Sequence, residues 1–173
     1  AIHGDVKPGK LVVTDIDDAR LARAEELFPV SEAKKEGVEL LYVNTAGMDD
    51  PVASLKEIAG GEGFDDVFVM APVAPLIEQA SAIMGKDGCL NFFAGPTDSQ
   101  FKASINFYDV HYGFHHVMGT SGGNTEDMMI SLDMMRTRRI DPSMMITHVG
   151  GLDSVPETTL NLPNIPGGKK LVY

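Results

Sequence analysis

Short, unbroken apolar runs alternate along this chain with stretches whose apolar residues recur every three or four positions. Lys10–Thr14 (KLVVT), Leu40–Val43 (LLYV), Val67–Ala71 (VFVMA) and Cys89–Phe93 (CLNFF) each predict a strand buried on both faces. Between them, Asp17 to Phe28 places Leu21, Ala24 and Leu27/Phe28 at helical spacing. Asp50-Pro51 predicts an N-cap with proline at the first helical position, opening a helix to Ala59 that turns Val52, Leu55 and Ile58 inward. A third helix is expected over Val73–Met84, ended by Gly85. Strand-helix repetition with continuous apolar strands predicts an α/β fold, a mostly parallel sheet with helices on both faces.

After Gly95-Pro96 the rhythm changes. Ile105–Tyr112 (INFYDVHY) and His116–Met118 predict strands near a sheet edge. Thr120–Asn124 (TSGGN) is a glycine-rich turn before a helix expected from Glu126 to Arg138. Asn124 and Asp127 have capping-box spacing, and Met128, Leu132 and Met135 give that helix an apolar stripe. Met145–Thr147 and Lys170–Tyr173 predict final short strands.

Composition narrows the classes. The 173 residues suit one domain, with 43% hydrophobic and 23% charged residues, which excludes a disordered tail or a coiled coil. No apolar run reaches the about 20 residues of a membrane-spanning helix, so no membrane partner is expected. The net charge of −11 argues against nucleic acid, whose phosphates demand clustered Lys and Arg. Cys89 is the only cysteine, so no internal disulfide forms, and a cytoplasmic setting is expected. The chain opens on Ala1, which suggests a piece of something longer.

The chemistry centres on Asp15, which ends the first strand. A carboxylate at a strand tip in a dinucleotide-binding βαβ unit accepts the adenosine ribose hydroxyls and repels the extra phosphate of NADP. The same residue suits helix capping, or an S-adenosylmethionine site. A G-x-G-x-x-G turn belongs roughly 20 residues before such an acid, a position that precedes Ala1. The other candidate contacts are strand exits: Asn44-Thr45, Ala71-Pro72-Val73, Phe93-Ala94-Gly95 and Thr120-Ser121. His111, His115, His116 and His148 read as packing or surface histidines, and no metal site is expected. Cys89 reads as a core residue. GGEG at Gly60–Gly63 follows a helix and reads as a turn, not a phosphate loop.

The runs VVTDIDDARLARAEEL, DDVFVMAP, KDGCLNFFAGP, VMGTSGGNTEDM, IDPSMMITHVGGL and GGKKLVY resemble, in order and spacing, the coenzyme half of zinc-dependent medium-chain alcohol and polyol dehydrogenases. FFAGP, NFYDVHY and GTSGGN are most similar to the branch acting on sorbose 1-phosphate-like sugars. The resemblance implies a truncated NAD(P)-binding Rossmann domain over 1–173, lacking the first strand and glycine-rich loop. It implies an oxidoreductase moving hydride between a sugar, polyol or sugar-phosphate alcohol and nicotinamide, with zinc in the parent enzyme only. Asp15 would bind the adenosine ribose and Arg20 would lie beside the adenine. Ala71 and Pro72 would border the nicotinamide ribose. Phe93, Ala94, Gly95, Thr120 and Ser121 would meet the nicotinamide through backbone groups. The implied partners are NAD or NADP, an absent N-terminal catalytic domain and a second subunit paired along Ile105–Val110, making a homo-oligomer. No catalytic residue falls in this chain, so it is expected to be inactive alone. A non-catalytic nucleotide-binding or oligomerisation module, or an S-adenosylmethionine-binding domain, remains the alternative.

Overall fold

A computed structural model describes residues 1–173. The α-helices and strands run β1 (Lys10–Asp15), α1 (Asp18–Leu27), α2 (Val30–Lys35), β2 (Glu39–Asn44), α3 (Pro51–Ile58), β3 (Phe64–Val69) and α4 (Ala74–Ala82). They continue as β4 (Met84–Phe92), α5 (Phe107–Tyr112), β5 (His116–Gly119), α6 (Thr125–Arg136), β6 (Ile146–Gly150), α7 (Val155–Asn161) and β7 (Lys169–Val172). All strand pairs are parallel, forming the ladders β1-β2, β3-β4-β5 and β6-β7. The chain divides into two compact units: Pro8–Gly123, and Ala1–Lys7 together with Asn124–Tyr173.

In the larger unit, local chemistry sets the helix starts. Asp17 caps α1 by accepting the amides of Ala19 and Arg20, at 2.8 and 3.3 Å. Asp50 accepts the Ala53 amide at 2.9 Å, with Pro51 at the start of α3. The β1-β2 ladder is covered by α1 and α2, whose Leu21 and Ala33 are buried with Val38 and Leu40. The Tyr42 hydroxyl donates to the carbonyls of Ala24 and Phe28, pinning the end of α1 to β2. The β3-β4-β5 ladder has its own core, Val69, Ile77, Ala80, Met84 and Leu90, with α4 packed on one face. Leu90 is wholly buried, which contributes about 1.5–3 kcal/mol. Alternation along β4 turns Asn91, with its register neighbours Phe68 and Met118, to the other face, where both neighbours are exposed.

Two expectations are corrected. The stretch Ile105–Tyr112 is not an edge strand: Phe107–Tyr112 is helix α5. Asn106 decides it, accepting the Tyr108 amide and donating its side-chain amide to Asp109, so local capping outweighs aromatic β-propensity. The pairing edge expected over Ile105–Val110 goes with it. Gly85 does not terminate a helix but lies inside β4, where it and Gly63 make a close backbone crossing. A Cβ on Gly63, at φ +91°, would sit 2.6 Å from the Gly85 nitrogen. The expected stripe of Met128, Leu132 and Met135 on α6 faces outward, with all three side chains exposed. Helices α2 and α7 had no forecast; both are single short segments.

In the smaller unit, α6 begins with the expected capping box: Asn124 accepts the Asp127 amide and Asp127 accepts the Asn124 amide. Arg139 holds the N-terminal segment by donating to the His3 carbonyl and pairing with Asp5 at 2.9 Å. The Lys170 ammonium donates to the carbonyls of Ile165, Pro166, Gly167 and Gly168, closing the turn before β7. No residue of this unit is buried.

Candidate functional site

Parallel strands in register deliver their following residues to one rim. Val69, Phe92 and Gly119 are aligned across the β3-β4-β5 ladder. The residues after them therefore line the carboxyl edge of that sheet, where open α/β folds bind ligands. Ala71 and Pro72 lie there between β3 and the Val73 N-cap of α4, folded tightly by the Val73 amide donating to the Ala71 carbonyl at 2.9 Å. The amides of Phe93 and Ala94 both donate to the Val69 carbonyl, at 3.1 and 3.0 Å. Backbone contacts from these two residues to a ligand would thus run through their carbonyl groups. Gly95 follows with open space around its α-carbon, which admits a close-lying ligand. Thr120 and Ser121 follow β5, and the Thr120 hydroxyl donates to the Gly122 carbonyl at 3.1 Å. Seven of the nine candidates are thus gathered on one rim.

Asp15 and Arg20 form a second group, at the carboxyl edge of β1-β2. One Asp15 oxygen, Oδ1, accepts the amides of Ile16 and Asp17 at 2.7 and 3.0 Å and lies 3.5 Å from the Arg20 guanidinium. These bonds fix the carboxylate at the strand tip and leave Oδ2 without a protein partner. A fixed carboxylate with one free oxygen suits hydroxyl donors. Arg20 also reaches Asp17 at 3.4 Å, and the Asp17 carboxyl is held below its usual 3.8, chiefly by the amides of Ala19 and Arg20. Ile16 presents an exposed apolar side chain beside Asp15. Asn44, the register partner of Asp15, donates to Asp18 and accepts the Ala46 amide. Sequence reading placed Asn44 at a strand exit but missed its link to Asp18. The signal was available in part: Asp15 and Asn44 each directly follow a predicted strand.

No three His, Cys, Asp or Glu side chains converge into a group able to hold a metal ion, so these residues do not fit a zinc site. His116 pairs with Asp87 at 3.0 Å, and His111 packs edge-on against Tyr112. Cys89 is half-buried in β4.

Comparison with known proteins bears on this arrangement. Residues 7–137 match the zinc-binding dehydrogenase family. The chain is 60% identical over all its 173 residues to a mannitol-1-phosphate 5-dehydrogenase of Aliivibrio fischeri. It is 47% identical over the same span to an L-sorbose 1-phosphate reductase of Klebsiella pneumoniae. It spans 41% of the length of each. Its fold matches 2R,3R-butanediol dehydrogenase from Bacillus subtilis with a TM-score of 0.71 at 20% identity, over 90% of this chain and 40% of that one. A short chain alcohol dehydrogenase from Escherichia coli, solved with NADH, matches with a TM-score of 0.66 at 14% identity, over 94% and 43% of the two chains. An α/β architecture of parallel strands and crossover helices thus has the Rossmann-like fold of these solved structures, and the chain belongs to the zinc-binding dehydrogenase family.

Proposed function

We propose that this chain is the coenzyme-binding part of a zinc-dependent, NAD(P)-linked oxidoreductase acting on a sugar, polyol or sugar-phosphate alcohol. The observation that supports it most is Asp15, fixed at the tip of β1 with one carboxylate oxygen free. In this reading Asp15 accepts the adenosine ribose hydroxyls, and its charge favours NAD over NADP. Arg20 flanks the adenine end. Ala71 and Pro72 border the nicotinamide ribose, while Phe93, Ala94, Gly95, Thr120 and Ser121 orient the nicotinamide. Bound coenzyme supplies the hydride acceptor or donor at nicotinamide. The residues of this chain only hold and orient it. Zinc and the alcohol-binding groups belong to the remaining polypeptide, which the length of the relatives supports. A sugar phosphate is the favoured substrate, on the names of those relatives.

The test is a titration of NADH, followed by its own emission because the chain has no Trp, in the intact polypeptide of which this chain forms the coenzyme part. Asp15→Ala should weaken binding by about 1–3 kcal/mol, since a charged hydrogen-bond acceptor is lost. An unchanged affinity removes Asp15 from the site. S-adenosylmethionine, titrated in parallel, should not bind; saturable binding of it in place of NADH would replace the dehydrogenase reading. The 173-residue chain alone should produce no NADH from any alcohol, and measurable turnover would contradict the assignment of the reacting groups elsewhere.

A further inference from the structure

Lys170 takes its partners from carbonyl groups in a chain rich in carboxylates. With 25 Asp and Glu against 14 Lys and Arg, several cations pair with acids, as Lys10 does with Glu39 and Lys35 with Glu32. The Lys170 ammonium instead lies 3.3, 3.4, 3.3 and 2.8 Å from the carbonyl oxygens of Ile165, Pro166, Gly167 and Gly168, four consecutive residues of one turn. An ammonium has three N–H donors, so four acceptors exceed its directed hydrogen bonds, and three of them lie at long range. What the four oxygens share is attraction to a central positive charge. The turn is built to hold them around it. Gly167 sits at φ +92°, and a Cβ on it would stand 2.8 Å from the Thr147 hydroxyl oxygen. Pro166 contributes a carbonyl and no N–H. None of the four residues has a polar side chain, so the turn offers carbonyl oxygen alone.

We propose that the Ile165–Gly168 turn is a binding site for a monovalent cation of ammonium or potassium size, with the Lys170 ammonium as its tethered occupant. Four neutral oxygens match a single positive charge. A divalent ion calls for carboxylates, and no Asp or Glu lines the turn or the cavity beside it. Rings of backbone carbonyls in potassium-selective pores replace the ion's hydration shell in the same manner. Ammonium and potassium ions are close in size, whereas lithium is much smaller. A free ion also has a way in: a cavity of about 160 Å³, bordered by Ser154, Thr158, Ile165 and Lys170, adjoins the turn. Tethering explains why the unaltered chain needs no free ion. Lys170 follows the turn so closely in sequence that its ammonium is present at high effective concentration and shuts other cations out. Neutralising Lys170 therefore opens the site rather than only deleting a bond. The site lies wholly in the smaller unit, uses none of the coenzyme-site residues and stands apart from the proposed function.

Hydrogen exchange read by mass spectrometry in the intact polypeptide tests it, with Lys170→Met as the variant that keeps an unbranched side chain and removes the charge. In choline chloride, the amides of β6 and β7 should exchange about tenfold faster in the variant than in the unaltered protein. Potassium or ammonium chloride at the same ionic strength should return them, saturably, to within about twofold of the unaltered rates, and lithium chloride should not. Lys169→Met makes the same charge change at the exposed neighbour and should show no response specific to any cation. A second measurement needs no variant: a brief pulse of an amine-acetylating reagent should label Lys170 at least about tenfold more slowly than Lys169. Unchanged exchange in Lys170→Met, exchange that stays fast in potassium and ammonium, equal recovery in lithium, the same response in Lys169→Met, or equal labelling of the two lysines would each overturn the proposal.

Discussion

Tyr42 shows how one side chain couples two elements and makes stability depend on pH. Its hydroxyl donates to the Phe28 carbonyl at 2.9 Å and to the Ala24 carbonyl at 3.2 Å, at the C-terminal end of α1 and its cap. Partial burial, and then the negative charge of Glu25, raise its pKa above the usual 10.0. The folded chain therefore favours the neutral phenol. The stability this contributes is fully present below pH 10 and is lost as pH rises through the higher folded value. Tyr42→Phe should cost about 0.5–1.5 kcal/mol at neutral pH, because two carbonyls lose a donor. The variant should also lose less stability than the parent between pH 9 and pH 11. Urea unfolding across that range checks both; parallel losses in the two proteins would assign the alkaline effect elsewhere. Asp17 runs with the opposite sign. Its carboxyl is held below 3.8 by the α1 amides, so its contribution is present above that value and disappears as pH falls through the lowered one.

Elements were legible where a local device and the apolar period agreed. KLVVT and LLYV became β1 and β2 with one or two residues added at the ends, because short unbroken apolar runs suit parallel strands that pair with each other and are covered by helices. Asp50-Pro51 and the Asn124–Asp127 box started helices where expected. Asn124→Ala should accordingly cost about 1 kcal/mol, visible as a lower urea midpoint and reduced helical ellipticity. Prediction failed where capping competed with pattern, as at Asn106, and where long-range contact decided. Nothing local in Met84–Gly88 shows that this stretch already belongs to β4; the ladder register shifts there, and Asp87 sits at φ +62°. The Gly63–Gly85 crossing is equally invisible beforehand. Gly63→Ala should destabilise by about 1–2 kcal/mol or more, since positive φ and a backbone clash add. A midpoint shift smaller than that of Asn124→Ala would show that the crossing relaxes freely. The site was legible in the same uneven way: Asp15 followed from its place at a strand tip, whereas the occupied amides of Phe93 and Ala94 depend on the distant Val69 carbonyl in β3.

At the scale of the whole chain, burial is distributed very unequally, and this sets the order in which parts open. Every buried residue lies within Pro8–Gly123, and Leu90 packs there in a cluster with Val69, Ile77, Ala80 and Met84. The unit of Ala1–Lys7 with Asn124–Tyr173 has none, although it carries seven residues of apolar character exposed on α6 and α7 alone: Met128, Met129, Ile130, Leu132, Met135, Val155 and Leu160. Its cohesion rests on exposed bonds, such as Arg139 to His3 and Asp5 and Lys170 to its four carbonyls. Exposed ion pairs contribute at most about 1 kcal/mol each, whereas a buried leucine contributes two to three times that. Local opening free energy should therefore be low in β6, α7 and β7 and approach the global value in β4. Native-state hydrogen exchange should show Leu90 and Asn91 amides among the slowest and Thr147–Gly150 among the fastest of the strand amides. Limited proteolysis should cut within 124–173 before it cuts within 8–123. Leu90→Ala, which empties a wholly buried site, should lower global stability by about 2–5 kcal/mol and speed exchange in β3, β4 and β5 together, with little effect on β6-β7. Equal acceleration in all three ladders would mean that the chain unfolds as one cooperative body, in which case the smaller unit draws its stability from the core of the larger one.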